Sequence, residues 1–297
     1  MGGRAKLSAR NKQLVSVLSD PQPHWVGNGF PVRSLFTYND QGAALSPFLL
    51  LDYAGPQQFP PTNERLGVGE HPHRGFETVT IVYHGEVEHR DSSGGGGRIG
   101  PGDVQWMTAA SGIVHEEFHG RQFARSGGLF EMVQLWVNLP AKDKLAPPRY
   151  QAIVDSQIPS VRLAGGQGRL RVIAGSFGGV AGPAETFTPI ELWDVRLPAG
   201  QRIELPLEDG QTLALACLRG AGRVNGSTDV GEAQVAVFDR AGSGITFEAR
   251  ADVTALLLAG QPIDEPIVGM GPFVMNDNRE IRQAMLDYQS GKMGHLA

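Results

Sequence analysis

Alternation of apolar and polar positions dominates this chain. From Glu77 the run ETVTIVY places Val79, Ile81 and Tyr83 on one parity, which His71, His73 and Glu77 share. The pattern predicts a strand whose apolar face also carries the two histidines, provided no bulge intervenes. His84-Gly85 then reads as a turn, and Glu86 to Asp91 as the returning partner strand with Val87 inward. Ser92-Ser93 and the glycines Gly94 to Gly97 follow as a hairpin tip. A phosphate-cradling loop would need Lys-Ser or Lys-Thr and a helix start after the glycines, whereas Arg98-Ile99-Gly100-Pro101-Gly102-Asp103 is a turn. Beyond Asp103, VQWMTAASGIVHEEF and EMVQLWVNLP continue the strand pattern as far as Pro140.

Residues 141 to 150, with Lys142, Lys144, Pro147 and Pro148, have the composition of a linker. A second strand-rich region follows, with expected strands at Glu191 to Leu197, Thr212 to Leu218, Ala233 to Phe238 and Val253 to Leu258. The period changes only near the end. Ile281, Met285 and Tyr288 recur at i, i+4 and i+7, which predicts a helix capped by Asn276 or Asp277, stopped at Gly291 and docked through that stripe. The expected organisation is therefore all-β in two domains, residues 1–140 and 141–297, the second ending in a helix.

Composition agrees and narrows the class. The 297 residues include 40 glycines and 20 prolines, suited to many short strands joined by tight turns. A net charge of -5 and a pI near 5.9 give no electrostatic reason for direct nucleic-acid or acidic-membrane binding. Cys217 is the single cysteine, so it forms neither an internal disulfide nor a thiolate metal cage. The N-terminal segment MGGRAKLSARNK is basic without an apolar core, and Lys6 breaks the myristoylation pattern that Gly2 would begin. With no run of 18 apolar residues, these features read as a cytoplasmic protein.

The candidate chemistry lies in the first domain. Six of the eight histidines fall between His71 and His119, and none lies between His119 and His295. His71-Pro72-His73 and His115-Glu116-Glu117 each place two ligand-type residues at i, i+2. Such side chains share one strand face about 6.6 Å apart, so two neighbouring strands can surround one ion with three imidazoles and one carboxylate. Nitrogen and oxygen ligands of this kind suit one divalent transition metal, Fe, Mn, Co, Ni, Cu or Zn. His84 sits in a turn and His24 and His295 lie near the termini, while His89 and His119 share inward parity. None of these five is assigned to the metal; His89 reads as a structural or rim residue.

HPHRGFETVT at 71–80, PGDVQWMTAASGIVHEE at 101–117, QLWVNLP at 134–140 and GPFVMN at 271–276 closely resemble the pirin family of the cupin superfamily. The resemblance implies a bicupin: two face-to-face, jelly-roll-like antiparallel β-barrels with one metal, iron, in the N-terminal barrel. It matches His71, His73, His115 and Glu117 to the family's ligands. General cupins take their carboxylate from the position of Glu77 instead. His73 to Glu77 spans about 13 Å on an extended strand against about 6.6 Å for His115 to Glu117, which favours Glu117 as ligand and places Glu77 behind it with Arg74. Ala110 where cupins carry proline, and Arg65 where they carry glycine, depart from the general cupin pattern.

Two functions follow from the resemblance. One is a quercetin 2,3-dioxygenase-like enzyme, with Glu117 as general base, acting on a small aromatic flavonol and O2. The other is a non-catalytic, iron-dependent redox sensor and transcriptional co-regulator that works through protein contacts. The site alone does not choose between them. Trp106, Met107 and Phe118 suit either the lining of an aromatic pocket or the barrel core.

Overall fold

Short β-branched and aromatic runs punctuated by glycine and proline build two closely similar sheet systems. The computed structural model describes residues 11–19, 21–163 and 168–296; the segment carrying Gly2 and Lys6 lies outside them. In the first barrel a seven-stranded antiparallel sheet runs Arg149–Ile153, Val104–Thr108, Phe76–His84, Gly128–Asn138, Phe48–Phe59, Phe30–Thr37, Pro23–Val26. A four-stranded sheet closes it, in the order Gly67–His73, Ile113–His119, Val87–Asp91, Gly96–Ile99. The second barrel repeats this with a seven-stranded sheet, Leu14–Leu18, Gln234–Phe238, Thr212–Arg219, Val253–Gly260, Ile190–Leu197, Arg169–Ala174, Ser160–Arg162. Its four-stranded sheet runs Arg202–Pro206, Gly244–Ala249, Gly222–Val224, Thr228–Val230. The fold is all-β and bicupin, as expected.

The strands do not keep to the expected division at residue 140. Arg149–Ile153 pairs with Val104–Thr108 of the first large sheet, and Leu14–Leu18 pairs with Gln234–Phe238 of the second. Each barrel thus receives an edge strand from beyond its own stretch of chain, which covers backbone groups that would otherwise be exposed. The segment read as a linker is also partly interior. Lys144 is buried, and its ammonium donates to Gly75 O (2.7 Å), Asn138 Oδ1 (2.7 Å) and Val274 O (3.0 Å).

The large sheets face each other, and their apposed faces form a shared core. Val79, Ile81, Tyr83, Trp106, Val133 and Leu135 meet Ala214, Ala216, Leu256 and Leu258 there. The expectation that this apolar face also carries His71 and His73 is overturned. Between His73 and Phe76 the chain turns a corner at Gly75, with φ +91°, and passes from the small sheet to the large one. A Cβ at Gly75 would lie 2.0 Å from Val274 O, so the close approach requires glycine. Across the corner, parity no longer predicts a common face. Val87–Asp91 likewise does not pair back onto Phe76–His84 but crosses to the small sheet, beside Ile113–His119.

The C-terminal helix spans Asn278–Gln289, and the Asp277 carboxylate accepts the Glu280 N–H at 2.8 Å as its N-cap. Its buried residues are Ile281, Ala284 and Asp287, whereas Met285 and Tyr288 are 38% and 40% exposed. The docked face is rotated from the expected stripe because Asp287 turns inward to pair with Arg74 at 2.9 Å. Among the described residues, no helix is long and apolar enough to cross a membrane.

Candidate metal centre

The site is assembled on the small sheet of the first barrel. His115 stands opposite His71 in the antiparallel ladder, and the register slips between His115 and Glu117 because Val68 to His71 spans one residue more on the partner strand. That bulge re-aims His71, whose Nδ1 meets Gly69 O at 2.8 Å. Ring centroids are separated by 4.2 Å for His71 and His115, 4.8 Å for His73 and His115, and 4.9 Å for His71 and His73. One nitrogen from each of the three lies within 4.8 Å of the others.

Hydrogen bonding prepares these rings to coordinate. A carbonyl oxygen only accepts, so the contacts from His71 Nδ1 to Gly69 O and from His73 Nδ1 to Pro272 O (3.3 Å) put the proton on Nδ1 and leave the Nε2 lone pair free. Among the described residues the buried His115 Nε2 has no hydrogen-bond partner, an orphan that a metal ion would satisfy. Burial, with the other histidines adding to it, holds His115 well below the ordinary imidazole range and His73 down to about 3. Neutral imidazoles with free lone pairs are the protonation state that metal binding needs. The donor set therefore fits a transition metal.

Glu117 is buried beside them. Its Oε1 accepts Gln105 Nε2 at 3.2 Å and its Oε2 accepts Gln134 Nε2 at 3.0 Å. It groups with His115 and with His89, whose Nδ1 is 4.0 Å from Glu117 Oε1. Glu77 joins neither group. The bend that would be needed to bring it back to the histidines exists at Gly75, but the side chain turns the other way, accepting Thr108 Oγ1 at 2.6 Å. Burial pushes its carboxyl up to about 7. Arg74 does not join Glu77; it clamps Ser111 O (2.7 Å) and Asp287.

The large sheet supplies the facing wall. Directly paired residues share a face, which gives two inward rows, Met107–Thr78–Trp136 and Gln105–Thr80–Gln134. Trp136 lies 5.3 Å from the His73 ring and 4.3 Å from Phe76. Among the described residues Thr78 Oγ1, Thr80 Oγ1 and Trp136 Nε1 are buried without partners, so they remain available beside the two glutamines, which are engaged with Glu117.

The Pirin family profile matches residues 29–137, and that of the Pirin C-terminal cupin domain matches residues 192–294. The chain belongs to the pirin family. A Pseudomonas aeruginosa protein provisionally named a quercetin 2,3-dioxygenase is 58% identical over 281 residues, 95% of this chain and 98% of that protein. A pirin-like protein of Caulobacter vibrioides is 41% identical, with 83% of this chain and 87% of that protein aligned. The crystal structure of a quercetin 2,3-dioxygenase from Acinetobacter baumannii superposes with a TM-score of 0.95 at 51% identity, covering 97% of this chain and 100% of that one.

The other residues that the sequence singled out lie around the site of this pirin or away from it. Trp106 belongs to the core between the barrels, and Phe118 lies under the Arg65 guanidinium at 3.8 Å; only Met107 faces the barrel interior. His119 sits in an aromatic cage of Phe30, Phe59, Phe123 and Phe130, with Nε2 bonded to Gly29 O at 2.8 Å. His84 lies 3.8 Å from Glu131, and His24 and His295 are exposed. Sequence reasoning missed Gln105, Gln134, Tyr150 and the role of His89. The glutamines could have been found as polar positions on the parity opposite the apolar core residues Trp106, Val133 and Leu135.

Proposed function

We propose that this pirin is a metal-dependent dioxygenase of the quercetin 2,3-dioxygenase type, with one metal held by His71, His73, His115 and Glu117. The observation that carries the reading is the buried, unpartnered Nε2 of His115 beside the rings of His71 and His73, near a carboxylate whose two oxygens are each fixed by a glutamine amide. The resemblance favours iron, although affinity order alone would favour copper or zinc. The metal, when bound, supplies a Lewis acid for the flavonol oxygen and a route for dioxygen to the substrate.

The chain's own residues do the rest. Glu117 takes the 3-hydroxyl proton of the flavonol as general base. Gln105 and Gln134 hold its carboxylate in place, and Phe76, Met107 and Trp136 offer flat apolar surface to a small aromatic substrate while keeping water out. The overall conversion is ring cleavage by O2 with release of carbon monoxide. The names carried by the Acinetobacter and Pseudomonas relatives support this choice of substrate. The lone, buried Cys217 suits a reducing, cytoplasmic setting.

Anaerobically purified, metal-loaded protein should take up oxygen with quercetin and release carbon monoxide, and His115→Ala should abolish both. Equal quercetin loss with the His115→Ala protein would trace the reaction to free metal and overturn the enzyme reading. Absence of turnover together with partner binding that follows iron oxidation would install the sensor and co-regulator reading in its place.

A further inference from the structure

We infer that Asp91 and His89 are positioning residues for the metal centre, fixing His115 in the tautomer that carries its proton on Nδ1 and its lone pair on Nε2. The inference rests on the metal reading above and adds residues to it. His89 is buried, with Nε2 at 3.1 Å from Asp91 Oδ2 and Nδ1 at 3.3 Å from His115 Nδ1. A carboxylate only accepts, so Nε2 of His89 donates to Asp91 Oδ2, and in the imidazole form its Nδ1 is then the acceptor. His115 Nδ1 must then donate, and His115 Nε2 is left with the lone pair and no other partner.

The surroundings keep this chain of bonds in register. Asp91 Oδ1 accepts Ser93 N (2.8 Å), Ser93 Oγ (2.6 Å) and Gly95 N (3.0 Å), which leaves Oδ2 for His89. Tyr150 stacks on the His89 ring at 5.2 Å and 14°. Gly95 packs against both, since a Cβ there would lie 2.4 Å from Asp91 Oδ2 and 2.9 Å from Tyr150 Cβ. The glycine run read as a hairpin tip is thus, at Gly95, fitted closely around the carboxylate that begins the relay.

Asp91→Asn tests the polarity of the relay with little change of shape. The three donors on Oδ1 hold the amide so that its NH2 faces His89 Nε2. His89 then carries its proton on Nδ1 and donates to His115, whose own proton moves to Nε2, where coordination needs the lone pair; reversing a histidine tautomer this way is costly in other sites as well. Zn(II) affinity, measured by chelator competition on the full-length protein, should fall 10- to 100-fold. In metal-free protein, 15N imidazole spectra should show the His115 proton on Nδ1 in the parent and on Nε2 in the variant, with little change in Tm.

His89→Phe keeps a ring beside Tyr150 but removes the relay, so Asp91→Asn added to it should cost no further affinity. A purely structural role for Asp91 would give the same loss in both backgrounds. That result, or a His115 proton on Nε2 in the parent, or an Asp91→Asn protein that binds Zn(II) as tightly as the parent, would overturn the inference. Failure of the parent to retain metal would instead sink the metal reading, and the tautomer spectra would still judge the relay.

Discussion

The two barrels share a strand order but fill their interiors oppositely. In the first, Glu117 faces His89 on one side and Val68 on the other, and His115 faces His71. At the matching places of the second, Phe247 faces Val224 and Ile203, and Ile245 faces Leu205, all within one apolar cluster with Trp193 and Leu215. Cys217 lies in that cluster too, and burial pushes its thiol up to about 12, far from any reactive state. One scaffold therefore serves both tasks. A few ladder positions determine whether a barrel encloses a polar centre or a packed core, and the first barrel carries the unpartnered His115, Thr78, Thr80 and Trp136 atoms that a centre requires.

The largest difference should appear on truncating the central residue of each interior. His115→Ala should abolish tight metal retention, lowering elemental analysis from one equivalent per chain to a small fraction, while the chain stays folded. Two tightly bound equivalents in the parent would break the comparison, because the chain has no histidine between His119 and His295 for the second barrel to offer. Phe247→Ala should leave metal stoichiometry unchanged in folded protein but cost about 3–5 kcal/mol of stability in denaturant unfolding, since it opens a cavity in a filled core.

The two carboxylates sharpen the contrast further. Glu117→Gln should weaken metal binding, whereas Glu77→Gln should leave it in place, because Glu77 faces the core between the barrels. Glu77 has instead a signature in stability. Its folded value near 7 lies above the unfolded value near 4.5, so its contribution is full below pH 4.5 and is lost as pH rises to 7. Glu77→Gln should flatten this slope and leave the variant about 3 kcal/mol more stable than the parent at pH 8. Parallel unfolding curves for the two proteins from pH 4.5 to 8 would show that Glu77 ionises freely.

Thr80→Val should produce the smallest effect. It replaces an unpartnered hydroxyl between Gln105 and Gln134 and moves the first interior one step toward the second, raising stability by about 1 kcal/mol with metal content unchanged. A loss of stability would mean that the hydroxyl is satisfied by ordered water.

Much of the molecule was legible before folding. Alternation located the second-barrel strands Ile190–Leu197, Thr212–Arg219, Gln234–Phe238 and Val253–Gly260 to within about two residues, as the period-two rule allows. A helix cap at Asn276 or Asp277 and the two i, i+2 pairs could be read directly, because capping and spacing along a strand involve only neighbours in the chain. Other features required the tertiary structure. Parity along the chain placed Glu77 with the histidines, but the corner at Gly75 moved it to another sheet and another core. Charge and composition made Lys144 a linker residue, yet the carbonyls of Gly75 and Val274, both from distant segments, join nearby Asn138 in holding it beneath that corner. His73 is oriented by Pro272 O, 199 residues away, and His115 by His89 on a strand that local reasoning paired elsewhere. Periodicity determines which residues share a strand face; what that face meets depends on sheet order and long-range pairing, to which local pattern is blind.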